Sequence, residues 1–475
     1  MSGLDVTGGR VLDPGQGIDA TATVSIADRI ITAVELAGGG AVGDGAGANS
    51  SAAARDGGAG AGSGGGVGDS AGVGDSAGVG DSTGVGDSTG VGDSAGVGDS
   101  AGVGGGALGG DGVPGDDGAR RPADYRQVID AAGLLVTPGL VDVHTHLFPG
   151  VSHYGIEPDA HCLGRGVTTA VDAGSSGAQT FPGLRRYVIE RSRTRVLAFL
   201  NIAVQGMISR LVGELEDIRW ASPGQAIACA RENPELIVGI KVRLGYQMVG
   251  NDPAPALRLA REAADTLGLP LMVHVIDMRP ALGWLLPYLG PGDVVTHCFH
   301  GNEGGILDSA GRVLPAAVAA RERGVLFDVG HGEGSFAYHV ARNALAQGFP
   351  PDTISSDLHA HNVAGPVFDQ AVTLSKLLHL GMQLEDVIRA ATSTPAAAVR
   401  REARIGALVA GRDADVSLFE LREGAWPLPD AAGATETVER LLVPRMVIRA
   451  GHARELAEPA IPGSVSARGA GGAGR

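Results

Sequence analysis

Lysine is nearly absent from this chain. Of 37 basic residues only two are lysines, Lys241 and Lys376, so arginine serves almost everywhere and each surviving lysine calls for a chemical reason. Cysteine is scarce as well. Cys162, Cys229 and Cys298 are odd in number and widely spaced, which excludes a disulfide framework and a cysteine-based zinc site. No window approaches 18 uninterrupted apolar residues, and the opening MSGLDVTGGRVLD has no positive segment leading into an apolar run, so neither a membrane span nor a leader is expected. Basic clusters are missing too, and a net charge of −16 argues against a nucleic-acid binder, whose affinity rests on Lys and Arg meeting phosphates. A cytoplasmic protein is the expectation.

What is abundant is glycine. Ordinary usage of roughly 7% would give about 33 glycines; this chain of 475 residues has 78. The surplus lies between residues 38 and 118, where nearly every residue is Gly, Ala, Ser, Val or Asp and a six-residue repeat, GVGDSA or GVGDST, runs from Gly66 to Ala101. Eleven aspartates and one arginine in that stretch carry most of the net charge. Ordering so much glycine is entropically expensive and its side chains offer little area to bury, so a disordered insertion in a surface loop is expected. A calcium-binding β-roll is the alternative, but the period of six does not match the nine of such repeats. The whole chain is 44% hydrophobic, and the remainder is long enough to bury a large core.

Residues 4 to 36 and 126 to 137 read as short strands with turns, as do 405 to 453. Between them the texture changes. Eight apolar runs, LVDVHTH, TTAVDAG, RVLAFLNIA, LIVGIKVRL, LPLMVHVI, DVVTHCFH, GVLFDVGH and DTISSDLH, alternate with amphipathic segments that end in glycine. The pattern predicts an α/β fold: a (β/α)8 TIM-like barrel over 138–403, with a small β-sandwich domain built from 1–37, 119–137 and 404–455 and a flexible tail over 456–475. A doubly wound open sheet is the runner-up.

Barrel enzymes keep their chemistry at the C-terminal ends of the strands. In this chain those ends carry His144 and His146 on the first strand, Lys241 on the fourth, His274 on the fifth, His297 on the sixth and Asp357 on the eighth. Histidines at i and i+2 share one side of a strand and can grip one metal; they are expected to face inward with Val141 and Val143. Lys241 sits in an almost wholly apolar strand, where an ammonium must be paired, with Asp172 for instance, or neutral. A neutral amine can take up carbon dioxide as a carbamate that bridges two cations, which arginine cannot do. Each of these residues alone has a bland explanation as a satisfied core group; five strands delivering ligand types to one layer is harder to explain so.

At this point the sequence resembles the amidohydrolase superfamily, in its binuclear, carboxylated-lysine branch. TPGLVDVHTH, Lys241, the two later strand-end histidines, Asp357 and GALVAGRDADVSLF carry the resemblance, and VTPGLVDVHTHLFPG, GIKVR, VTHCFHG and SSDLHAHN resemble the amidohydrolase/deacetylase subgroup. The resemblance implies one divalent metal on His144, His146 and Asp357, a second on His274 and His297, and the carbamate of Lys241 between them, zinc being the usual metal. It also implies catalytic roles for Asp357, as proton acceptor and donor, and for Arg243, facing the developing oxyanion unless it pairs with a neighbouring acid. His300, His331, His359, His361 and Tyr154 lie just past strand ends as candidate pocket residues. The implied activity is hydrolysis of an acyl ester or amide of a small acylated substrate, with no membrane or nucleic-acid partner and with a homo-oligomer left open. Cyclic amide hydrolysis, as in dihydroorotases, a non-catalytic scaffold and an adhesion protein with a vestigial barrel are the rivals.

Overall fold

A computed structural model of the chain describes residues 3–38, 126–459 and 461. The expected disordered insertion therefore lies, apart from Gly38, outside the described residues.

The strands in chain order are β1 (Gly3–Asp13), β2 (Ile18–Ala27), β3 (Ile30–Leu36), β4 (Arg126–Asp130), β5 (Leu135–Pro138), β6 (Leu140–Thr145), β7 (Val167–Gly177), β8 (Arg195–Asn201), β9 (Ile237–Arg243), β10 (Leu271–His274), β11 (Val294–Thr296), β12 (Leu326–Asp328), β13 (Val416–Pro429), β14 (Thr435–Arg449) and β15 (His452–Glu455). They form two sheets. The terminal segments make an eight-stranded mixed sheet in the order β15-β14-β13-β5-β1-β2-β3, with β4 also on β1. A bulge between Val6 and Gly9 lets β1 pair with β4 along its first half and with β5 along its second. Its core is aliphatic, with Val6, Val24, Ile31, Val136 and Leu418 buried together. The packed chain reaches beyond residue 455, because Ile461 is buried against Trp426, Leu428 and Val443.

The second sheet is parallel, in the order β6 to β12, and curls into a barrel. Alternation sorts its side chains. Val171, Leu197, Phe199 and Met272 fill the interior, while Ala170, Ala198, Ile240, Val242 and Val273 face the helices. On β6 alternation fails. Val141 and Val143 face the interior, and so do His144 and His146 on the other parity; the β6–β7 ladder slips between Asp142 and Thr145, which turns the strand end.

The expected eighth strand does not form a ladder. Residues 353–358 occupy its place with only single bridges, Asp328 to Thr353 on one side and Thr145 to Leu358 on the other. Side chains replace the missing ladder: Asp328 accepts from Thr353 and Ser355 Oγ, and Asp142 accepts from the Ser356 amide and hydroxyl and from the His144 amide. Serines that bond sideways to buried carboxylates leave backbone that cannot stay regular, and it ends at Asp357 in the left-handed region, φ +49°.

Asp142→Ala should therefore lower stability by about 3 kcal/mol, since two buried amides and a hydroxyl lose their acceptor. Urea unfolding followed by circular dichroism measures it, with a loss below about 1 kcal/mol contradicting the closure role.

Candidate metal centre

Parallel register sets one row across the barrel mouth: Arg243 opposite His274, His274 opposite Thr296, Thr296 opposite Asp328. Lys241 lies one step earlier on β9, beside Asn201 of β8. His297 follows β11 with φ +71°, a left-handed turn that swings its ring back over the barrel. Two glycines make room. Gly174, φ +95°, passes so close that a Cβ there would meet Lys241 Cγ at 2.8 Å, and a Cβ on Gly332, φ +55°, would meet Asp357 Oδ2 at 2.4 Å.

All six expected residues line one cavity of about 450 Å³, together with Arg243. His144 Nε2 is 3.4 Å and His146 Nε2 3.1 Å from Asp357 Oδ1, and His297 Nδ1 is 4.0 Å from Asp357 Oδ2. The rings of His144 and His297 are 4.9 Å apart, and those of His274 and His297 are 4.4 Å apart and nearly perpendicular. Lys241 Nζ is 3.4 Å from His144 Nε2. It makes no ion pair among the described residues. The Asp172 alternative fails because that carboxylate accepts instead from the amides of Leu147, Gly174 and Ser175.

Hydrogen bonds behind the cavity decide where the protons sit. His297 Nδ1 is 2.8 Å from the Gly330 carbonyl, which only accepts, so Nδ1 carries the proton and Nε2 is a bare lone pair. His144 Nδ1 is 2.8 Å from Thr296 Oγ1, whose own proton goes to Asp328 Oδ2 at 2.7 Å, so this ring too donates at Nδ1 and leaves Nε2 bare. His146 Nδ1 meets Ser175 Oγ at 2.9 Å. Burial, with the neighbouring Lys241 charge adding to it, holds His144 and His297 well below the usual imidazole range; burial takes His274 the same way, and His146 to about 3. The rings are neutral. Burial likewise lowers Lys241 to about 7 and raises Asp357 to about 6, against the opposing pull of nearby charges.

The result is a cluster of lone pairs with few protons to share. Asp357 Oδ1 and His297 Nε2 are buried without hydrogen-bond partners, and ligand atoms of His144, His297 and Asp357 lie within 4.8 Å of one another. Uncompensated acceptors packed like this are costly, and a divalent cation is what satisfies imidazole nitrogens and a carboxylate together. The donor set fits.

Other expected residues divide. Tyr154 and His359 line the cavity, with Tyr154 stacked on His146 at 5.3 Å; His300, His331 and His361 do not. Arg243 does face an acid, Glu214 Oε2 at 3.5 Å, while its guanidinium forms part of the cavity wall. Sequence reasoning missed Thr296, Ser175 and Asp328, which orient the rings. Asp328 ends its strand in LFDVGH, so the strand-end rule applied to carboxylates alone would have found it; nothing in the sequence marks Thr296 or Ser175.

A barrel whose mouth gathers four neutral imidazoles, a lysine and an aspartate defines the class of metal-dependent barrel hydrolases. Residues 338–453 match the amidohydrolase family. A deacetylase of Agrobacterium fabrum is 39% identical over 328 residues, 69% of this chain and 80% of that protein. A deacetylase of Brucella anthropi is 38% identical over 328 residues, 69% of this chain and 81% of that one. Among solved structures, a dihydroorotase superposes with a TM-score of 0.73 at 29% identity, covering 97% of this chain and 100% of that one. The chain belongs to the amidohydrolase family and is a hydrolase.

Thr296→Val, which keeps the shape but ends the relay from His144 to Asp328, should weaken metal affinity about 10- to 100-fold in a chelator competition; unchanged affinity would remove Thr296 from the orienting set. Acid should destabilise the metal-free protein. The buried histidines have folded pKa values below the unfolded 6.5, so they bind protons on unfolding and cost stability as pH falls from about 6.5 toward the folded value, about 3 for His146. Asp357 and Asp142, raised to about 6 and about 7, act in the opposite direction but are fewer. The melting temperature of chelator-treated protein is expected to drop between pH 7 and pH 5, and a rise would reverse the sign of this balance.

Proposed function

We propose that this chain is a metal-dependent deacetylase-like hydrolase, cytoplasmic, that cleaves an acyl ester or amide of a small carboxylate-bearing compound. The observation that carries the reading is the convergence of bare imidazole nitrogens and the Asp357 carboxylate on one cavity. The deacetylase relatives support the acyl-transfer chemistry. A cavity of about 450 Å³ suits a small molecule.

His144, His146 and Asp357 would hold one cation, His274 and His297 a second, with zinc favoured by a nitrogen-rich set. Lys241, buried and lowered to about 7, is able to present a neutral amine; adding carbon dioxide forms an N–C bond, releases one proton and leaves a carbamate whose oxygens suit a bridging ligand. Bound divalent metal supplies Lewis-acid activation of water and of the scissile carbonyl. The chain supplies the rest. Asp357, with Oδ1 unpartnered, accepts the proton of the attacking water and returns it to the departing nitrogen or oxygen. Arg243 offers N–H donors to the oxygen on which charge develops, with Glu214 holding its guanidinium from behind. Tyr154, stacked over His146, narrows the mouth on that side.

Metal analysis of the purified full chain should give near two equivalents, falling in Lys241→Ala, and Asp357→Asn should lower kcat/KM by roughly 10² to 10⁴. A panel of acetylated hydroxy acids, acetyl amino acids and cyclic ureides chooses the substrate class. Turnover of cyclic ureides alone would move the reading to the dihydroorotase type, and a folded protein that takes up no metal would favour a scaffold.

A further inference from the structure

The chain's other lysine lies outside the cavity wall. Lys376 is on the helix Gln370–His379 and is fully buried. Its Nζ has three partners: His331 Nε2 at 2.8 Å, the Pro366 carbonyl at 2.7 Å and the Pro429 carbonyl at 2.7 Å. His331 Nδ1 is 3.0 Å from the Gly332 carbonyl, so it donates there and its Nε2 can only accept. Burial lowers Lys376 to about 7, as it does Lys241, but three acceptors surround its Nζ and require three N–H donors, which the ammonium supplies from one point. Arginine's planar fork does not radiate donors in this way, which accounts for a lysine here in a chain that otherwise uses arginine.

Those three acceptors belong to three separate segments of the cavity rim. His331 stacks on Phe336 at 4.7 Å and begins the loop that brings Glu333, Gly334 and Ser335 to the cavity. Pro366 closes the loop that follows Asp357 and carries His359. Pro429 ends β13, one residue before the turn that carries Ala431 to the cavity from the terminal sheet. That turn is tied to the first loop again, through Ala431 N to the Phe336 carbonyl at 2.9 Å and Tyr338 N to Asp430 Oδ2 at 3.0 Å. Gly332, whose carbonyl meets His331 Nδ1, donates its amide to the Ser356 carbonyl at 3.0 Å, one residue before Asp357, and leaves no room for a Cβ beside the Asp357 carboxylate.

We propose that Lys376 is a positioning residue for the reaction: its buried ammonium pins the 330–337 loop, the 358–369 loop and the 429–434 turn together, and through Gly332 it fixes the place of Asp357. This rests on the reading of the cavity as the catalytic site, but the pinning itself is measurable without turnover. Hydrogen exchange on the full chain, wild type against Lys376→Met, should show faster exchange in all three segments together while β7 to β11 stay protected. With 4-nitrophenyl acetate as probe, kcat should fall on the order of tenfold to a hundredfold with KM little changed, the mark of misplaced chemistry. His331→Phe, which removes one acceptor, should loosen residues 330–337 alone and lower kcat less. Faster exchange throughout the barrel, or in only one segment of Lys376→Met, overturns the proposal, as does wild-type kcat in that variant. If Lys376→Met does not fold, unchanged exchange at 330–337 in His331→Phe overturns it. A wild type inactive on every acylated probe fails the functional reading instead, and leaves the exchange result to decide the pinning.

Discussion

The structure depends on a crowd of lone pairs held together under burial. Burial holds His144, His146, His274 and His297 below the usual imidazole range, and two rings direct their Nδ1 protons toward Thr296 and Gly330, leaving His144 Nε2 facing Asp357 and His297 Nε2 buried without a partner. Such an arrangement repels itself. The packed barrel around it holds the groups in place, and a cation bound there would convert the repulsion into coordination. Stability and function are therefore opposed at this one place, as strained backbone at His297 and Asp357 also indicates.

The barrel is closed by the same residues that shape the site. Asp328 accepts from Thr296, Thr353 and Ser355, so one carboxylate both orients His144 and fastens the irregular eighth segment. Asp142 does the corresponding work on the other side, binding Ser356 and the His144 amide. A regular eighth strand would have fixed residues 353–358 by ladder hydrogen bonds alone. Replacing the ladder with side-chain bonds frees the backbone to turn left-handed at Asp357 and to lift its carboxylate over the mouth. Fold closure and the placement of the Asp357 carboxylate rest on the same residues.

Much of this was legible in the sequence. Apolar runs of strand length separated by amphipathic segments gave seven of the barrel strands, since burial on both faces leaves a continuous apolar signature. Histidine at β6, β10 and β11 and lysine on β9 stood out because polar residues are rare in such runs. The eighth strand misled for a physical reason: DTISSDLH alternates like a strand, yet its hydroxyls prefer Asp142 and Asp328 to a ladder. On β6 the expected inward placement of Val141, Val143, His144 and His146 holds, but only because the ladder slips between Asp142 and Thr145, an irregularity that depends on the neighbouring strand and leaves no local mark.

Composition and order by themselves determined the class of fold, the residue types available for chemistry and the rarity that marks Lys241 and Lys376. Local periodicity encodes which face is buried, and that suffices for a barrel. Tertiary structure alone decided which nitrogen of each ring is bare, which acid Arg243 meets and which three carbonyl or imidazole acceptors surround Lys376. Those choices depend on partners far away in the chain, such as Thr296, separated from His144 by 152 positions, and only packing brings such partners within a hydrogen bond's reach.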